Sequence, residues 1–269
     1  MKWPDDYINK VICGDCLEVM QGIPDGAVDA VITDPPYGKT RLKWDAVIDF
    51  NSMWTELRRT RKENALVAIF AQQPFTTDLI QSNRREFKYE MIWVKSISTG
   101  HMIAHIQPMR QHENICIFYR KQPTYNRQFT KRRSEKSVSR FSSKGIESEK
   151  VVISRGRPTK NKGQYDYSFA FRSKVVFGKR IVESSVLEFS SVSHANGGSI
   201  LHPTIKPIPL LKHLIATFSD PGEIVLDPFA GSGTTLVAAK QSGRKYIGIE
   251  IDPKYCKIAE ERLLQEELF

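Results

Sequence analysis

Apolar positions in the first 119 residues alternate between short unbroken runs and helical spacings. Lys10–Cys13 is a brief apolar run closed by Gly14-Asp15. Val28–Thr33 (V-D-A-V-I-T) and residues 65–71 (A-L-V-A-I-F-A) read as buried strands, and residues 90–94 and 114–119 as two more. Residues 47–61 place Ile48, Met53, Trp54 and Leu57 at helical intervals, and Phe75–Ser82 predicts a short helix after Pro74. The pattern returns after Ile200, with a helix over 207–218, a strand over 223–226, a helix over 235–241, a strand over 246–251 and a final helix over 253–267. Strands joined by helices predict an α/β fold, Rossmann-like, with a mainly parallel sheet covered by helices on both faces.

Between 120 and 199 this periodicity fades. Lys, Arg, Ser and Gly dominate, yet Tyr125, Phe129, Phe141, Tyr165, Tyr167, Phe169, Phe171 and Phe177 are too many aromatics for a plain linker. The expected organisation is an α/β half at 1–119, an irregular recognition-type insertion at 120–199 and a second α/β half at 200–269. Charge sharpens this division. Residues 120–180 hold 18 Lys and Arg against 4 Asp and Glu, a net of +14, whereas the whole chain carries +10, so the remainder sums to −4. A basic segment beside a slightly acidic body suits a polyanion, because displaced counterions drive association with phosphate backbones.

Composition excludes other classes. A chain of 269 residues that is 40% hydrophobic and 26% charged can bury a full core. No apolar run reaches the roughly 20 residues of a membrane span, and the start of the sequence has no signal-peptide pattern, so no membrane partner and a cytoplasmic setting are expected. The four cysteines, Cys13, Cys16, Cys116 and Cys256, are too scattered for a disulfide framework. Cys13 and Cys16 form a C-x-x-C without a second ligand pair, and the six histidines suggest no metal; small apolar residues at a strand end are the simpler reading.

Two motifs carry chemistry. Asp227-Pro228-Phe229-Ala230-Gly231-Ser232-Gly233-Thr234-Thr235 lies between a strand and a helix, and Glu250 closes the following strand, 23 residues after Asp227. Gly231 and Gly233 allow a tight turn and a close ligand approach, while Glu250 can accept from two ribose hydroxyls. The Walker lysine is missing, and Leu236 occupies the third glycine position of a dinucleotide fold. Asp227 would repel a pyrophosphate but attract an ammonium, so adenosine joined to an amino acid fits better. The second motif, Asp34-Pro35-Pro36-Tyr37, follows a strand and so falls at the ligand-binding edge. An exocyclic base amine is a poor nucleophile because its lone pair delocalises into the ring. The Asp34 carboxylate and Pro35 carbonyl, aimed at its hydrogens, would favour a pyramidal nitrogen; the paired prolines stiffen that turn. Tyr37 offers a ring on which an extruded base can stack.

Together with His202-Pro203-Thr204-Ile205-Lys206-Pro207, these motifs resemble the signature set of amino-group DNA methyltransferases. Their order, catalytic motif, variable region, cofactor turn, resembles the beta class. Gly14-Asp15-Cys16-Leu17-Glu18 also matches, as does Lys43-Trp44-Asp45 after the catalytic motif, a feature of phage-like members. The resemblance implies S-adenosylmethionine as cofactor and direct in-line transfer to a flipped base. It implies that Asp34, Pro35, Pro36 and Tyr37 form the catalytic motif. Asp15, Thr204, Lys206, Asp227, Phe229, Gly231, Ser232, Gly233, Thr234 and Glu250 would line the cofactor, with Asp15 on the adenine edge and Thr204 and Lys206 at the cofactor carboxylate. Ile205 stands where the family usually has glutamine. Cytosine-N4 members commonly have Ser where this chain has Asp34, which favours N6 of adenine.

The implied partner is duplex DNA, met through residues 120–180, where Lys131-Arg132-Arg133 suit phosphates and Arg155-Gly156-Arg157-Pro158 resembles a minor-groove hook. A homodimer is left open. The rival readings are a cytosine-N4 or RNA methyltransferase, and a catalytically silent DNA-binding module on the same fold.

Overall fold

The computed structural model describes residues 1–38, 47–131, 176–177, 180–182, 184–191 and 205–265. In chain order these form β1 (Lys10–Cys13), α1 (Cys16–Met20), β2 (Val28–Thr33), α2 (Phe50–Thr60), β3 (Arg61–Ala71), α3 (Phe75–Ser82), β4 (Phe87–Thr99), a 3-10 turn (His101–Ile103) and β5 (Arg110–Phe118). There follow β6 (Phe129–Lys131), β7 (Val176–Phe177), β8 (Arg180–Val182), β9 (Val186–Glu188), α4 (Ile208–Phe218), β10 (Ile224–Asp227), α5 (Thr234–Gln241), β11 (Lys245–Glu250) and α6 (Pro253–Gln265).

The main sheet runs β1-β11-β10-β2-β3-β5-β4-β9. Its pairings from β1 to β3 are parallel, β5 is antiparallel to both β3 and β4, and β9 returns parallel to β4. Alternation along the strands sorts side chains to two faces. Ile32, Leu66, Ala68 and Phe70 pack with Leu210, Leu211, Leu214 and Leu236 from α4 and α5. Their neighbours Val31, Val67, Ile69 and Ala71 pack with Met20, Met53, Trp54, Leu57 and Leu79 from α1, α2 and α3. The α/β architecture with helices on both faces is therefore the one the hydrophobic pattern predicts.

Two compact units divide the chain: Met1–Asn126 with Ser185–Phe269, and Arg127–Ser184. In the second, β6, β7 and β8 make a small antiparallel sheet of order β6-β8-β7. The sequence reading of 120–199 as irregular thus missed short strands, and β9 within it joins the main sheet. The motif regions Lys43-Trp44-Asp45 and Arg155-Gly156-Arg157-Pro158, along with Arg132, Arg133, Phe141, Tyr165, His202, Pro203 and Thr204, lie outside the described residues.

Several boundaries shift for identifiable reasons. The helix expected over 47–61 begins at Phe50, because Asp49 caps it by accepting from Ser52 N at 2.8 Å. β3 starts at Arg61, four residues before its apolar run, and β4 and β5 extend past theirs to Thr99 and back to Arg110. Backbone pairing, not side-chain apolarity, carries those extensions.

Candidate active site

From β2 the chain crosses through α2 to β3 on one side, and from β10 through α5 to β11 on the other. β2 and β10 are hydrogen-bonded neighbours, with Val225 beside Ala30 and Leu226 beside Val31. The strand order therefore reverses between them, and their carboxyl ends open the crevice where such sheets bind ligands. Asp34 follows β2 and Asp227 ends β10. Thr33 Oγ1 donates to Asp227 Oδ1 at 2.6 Å, tying the two strand ends together.

On the β10 side, Asp227 is buried and also accepts from Phe229 N at 3.1 Å. Burial pushes its carboxyl up to about 6, against the hydrogen bonds from Thr33, Thr235 and Phe229. The turn beyond it takes two left-handed residues, Gly231 at φ 52° and Gly233 at φ 77°. A Cβ on Gly233 would meet the Ala259 Cβ at 2.7 Å, so α6 packs where only glycine fits. Arg262 on α6 donates to the Ser232 and Thr234 hydroxyls at 3.1 and 3.0 Å, bracing the turn from behind. Glu250 accepts from Gly231 N and Asp252 N, both at 2.8 Å, one on each carboxylate oxygen. Burial raises its carboxyl above the ordinary value. In the neighbouring β1, Cys13 is in register with Glu250, and Gly14 N donates to the Glu250 carbonyl at 2.9 Å. Asp15 then caps α1 by accepting from Leu17 N at 2.8 Å.

On the β2 side the electrostatics are different. Pro35 is buried, Pro36 and Tyr37 are half-buried, and the Tyr37 hydroxyl donates to Asp34 Oδ1. The Tyr37 ring lies 5.0 Å from Phe75, centroid to centroid, so one part of its surface is already packed. Burial, then the Asp34 charge, holds the phenol well above its ordinary value, which keeps it a neutral donor. Asp34 Oδ2 is ion-paired with the Lys206 ammonium. Burial raises the Asp34 carboxyl while Lys206 pulls it down. Lys206 is buried just before α4, 5.1 Å from the Phe70 ring centroid, and 3.4 Å from Glu113 Oε2. Burial disfavours its ammonium, but Asp34 and Glu113 together hold it above the ordinary lysine value.

Glu113 and Lys95 escaped the sequence reading. Lys95 pairs with Glu113 Oε1, and Gln72 Nε2 donates to the same oxygen at 2.8 Å. Burial opposes the Glu113 charge, yet the Lys206 and Lys95 ammoniums hold its carboxyl below the ordinary glutamate value. Alternation explains the gathering. Glu113 shares a face with Ile115 and Ile117, Lys95 with Trp93, and Gln72 with Phe70, all on the α4 side. A glutamate in step with buried isoleucines was the available signal. Its partners depend on the β4–β5 register, which pairs Trp93 with Glu113.

The structure therefore brings Asp15, Asp34, Pro35, Pro36, Tyr37, Asp227, Phe229, Gly231, Ser232, Gly233, Thr234 and Glu250 to the carboxyl ends of four adjacent strands or the segments that follow them, and Lys206 reaches Asp34 from the segment before α4. Thr204 lies outside the described residues. Among the described residues, no helix is long and apolar enough to cross a membrane.

Comparison with known proteins agrees with this fold. The model of an N6/N4 methyltransferase family, described as DNA methylase, matches residues 28–261. The chain is 27% identical to the type II methyltransferase M.HinfI of Haemophilus influenzae, over 96% of this chain and 69% of that protein. In structure it is similar to M1.HpyAVI in its SAM complex, with a TM-score of 0.57 at 23% identity, covering 94% of this chain and 98% of that one. It is also similar to the cytosine-N4-specific PvuII DNA methyltransferase, with a TM-score of 0.63 at 16% identity, covering 94% and 85%.

Proposed function

This chain belongs to the N6/N4 DNA methylase family, and from that premise we propose that it moves the methyl of S-adenosylmethionine to N6 of adenine in duplex DNA. The observation that carries this reading is the Thr33–Asp227 hydrogen bond of 2.6 Å. It fastens the end of the strand that leads to Asp34 beside the end of the strand that leads to the glycine turn. An amine held at one and a methyl donor held at the other would then face each other across two neighbouring strands.

The residues on the β10 side suit this cofactor. Asp227 is a buried carboxylate whose hydrogen bonds come from neutral hydroxyl and amide donors. It is a fitting partner for the ammonium of an amino-acid moiety. Each Glu250 oxygen is bonded to one backbone N–H. A carboxylate oxygen has capacity for a second donor, so both can also take a ribose hydroxyl. Gly231 and Gly233 let the backbone come close to the ligand, and Asp15 and Phe229 flank it. Ser232 and Thr234 act through Arg262, holding the turn in shape. When bound, the sulfonium supplies a methyl group that needs no further activation. Lys206 is the one member of the expected cofactor set that we assign elsewhere, because its ammonium is already matched by Asp34 and Glu113.

On the β2 side, Asp34 and the Pro35 carbonyl accept the hydrogens of the target amine, Pro36 stiffens the turn, and the Tyr37 ring supports the flipped base. Aspartate at position 34 supports adenine over cytosine, following the resemblance drawn from the sequence. The basic segment 120–180 contacts the DNA backbone in this reading.

The test is to incubate the protein with labelled S-adenosylmethionine and either duplex DNA or RNA, then identify the modified nucleoside. N6-methyladenine in DNA is expected; N4-methylcytosine, or label confined to RNA, would overturn the proposal. Asp34→Ala should lower transfer by about 10²–10⁴-fold while cofactor affinity, measured by calorimetry, stays within a few-fold of wild type. An active Asp34→Ala enzyme would remove the amine acceptor from the scheme.

A further inference from the structure

Asp34 is asked to receive a target amine, yet its Oδ2 already holds the Lys206 ammonium. Displacing that ammonium into a buried, low-dielectric site without a new partner would be strongly unfavourable. The structure holds a second acceptor nearby. Glu113 is 5% exposed, and its Oε2 is buried without a hydrogen-bond partner, 3.4 Å from Lys206 Nζ. Its other oxygen is anchored by Lys95 and by Gln72, which in turn accepts from Arg110. A half-bonded buried carboxylate is costly unless the vacancy is used. The Phe70 ring, 5.1 Å from the ammonium, offers a surface on which the cation remains stabilised between the two acceptors.

We propose that Glu113 is a positioning residue, a second berth for Lys206. When the target amine takes Asp34, the ammonium moves onto Glu113 Oε2. Closing the 3.4 Å gap to hydrogen-bond length needs a shift of well under about 1 Å. No proton is transferred: Asp34 and Glu113 remain anions, Lys206 and Lys95 cations, and the quartet is neutral before and after. Among the described residues, Asp34, Glu113 and the Phe70 ring meet the Lys206 ammonium; behind them Tyr37 bonds Asp34, Lys95 and Gln72 bond Glu113, and Arg110 bonds Gln72. This inference rests on the reading of Asp34 as the amine acceptor.

The test is Glu113→Gln. Without the second berth, Lys206 stays on Asp34 and competes with the target base. The methyl-transfer kcat at neutral pH should drop about tenfold or more, while cofactor Kd stays within about threefold. The variant should regain activity as pH rises from 7 toward 10, because a deprotonated lysine releases Asp34; wild type should stay flat over that range. Lys95→Met combined with Glu113→Gln restores charge neutrality in the buried cluster and should show the same pH-dependent recovery, which guards against a folding defect in the single variant. A wild-type kcat at neutral pH in either variant, or a loss that does not respond to pH, would overturn the second berth. If Asp34→Ala is inactive while Glu113→Gln is fully active, only the second berth fails. If Asp34→Ala is active, the underlying reading fails with it.

Discussion

Two buried glutamates flank the β4–β5 pairing, Glu86 just before β4 and Glu113 on β5 opposite Trp93, and the two are surrounded by cations in different ways. Glu86, just before β4, has both oxygens doubly bonded. Arg58 and Arg120 donate to Oε1 at 3.3 and 2.9 Å, and Arg61 and Asn83 donate to Oε2 at 2.5 and 3.0 Å. Glu113, at the ligand edge, has one oxygen saturated and the other met only by a lysine that a second carboxylate also holds. The closed cluster fixes a fold. The open one can exchange partners, and it stands beside the strand end that carries Asp34. Buried charge by itself does not mark function, nor does an unmet polar atom, since Arg61 Nη1 in the Glu86 cluster is also buried without a hydrogen-bond partner; what separates the two is a carboxylate oxygen left open beside the crevice.

The largest expected effect comes from breaking the closed cluster. Glu86→Ala leaves the buried Arg61 guanidinium without its carboxylate and should destabilise the protein by about 3–5 kcal/mol, read as a shift in the urea midpoint. Methyl transfer at low temperature should be nearly unchanged. Equal loss of activity and stability would erase the distinction from Glu113, whose substitution should act on kcat first.

Acid should sharpen the same contrast. Burial works against the Glu86 charge, but the hydrogen bonds from Asn83 and Arg120 and the charges of Arg61 and Arg58 bring its carboxyl down to about 2. Its stabilisation is therefore complete above the ordinary 4.5 and is lost as pH falls through about 2. Wild type and Glu86→Gln should converge in stability near the acid end. A constant gap down to that pH would contradict the assignment.

Asp227 runs in the opposite direction and gives the smallest effect. Because burial lifts it to about 6, its contribution becomes unfavourable as pH rises from 3.8 through that value. Asp227→Asn should gain about 1–3 kcal/mol over wild type at pH 8 relative to pH 5, while cofactor binding weakens. The same difference at both pH values would show that the carboxyl ionises as freely folded as unfolded.

The strands and most helices were legible because apolar runs end in unmistakable punctuation. Val28–Thr33 stops at Asp34-Pro35-Pro36, and the β10 run stops at Asp227-Pro228. Those stops also located two acidic strand ends, because parallel strands in this architecture present their carboxyl ends to one side. Glu113 and Lys95 were not legible in the same way. Their meeting depends on antiparallel pairing across a ten-residue connection, residues 100–109, and nothing in the local pattern of either strand specifies the partner. β9 has only three residues, and its pairing with Ile92, Trp93 and Val94 recruits it to the sheet. Asp34, named from its motif, was expected to face a base; that it also anchors a lysine from a segment 172 residues away is a tertiary fact.

The Thr33–Asp227 bond has a consequence for biogenesis. Its partners are 194 residues apart, so the centre of the sheet cannot close until β10 has left the ribosome. Until then β2 is an unpaired margin of a nascent layer that already contains β3, β5 and β4, a surface open to wrong partners. Late closure makes the synthesis of β10 the step that seals the centre of the sheet, and a translation pause just before it would prolong dependence on chaperones.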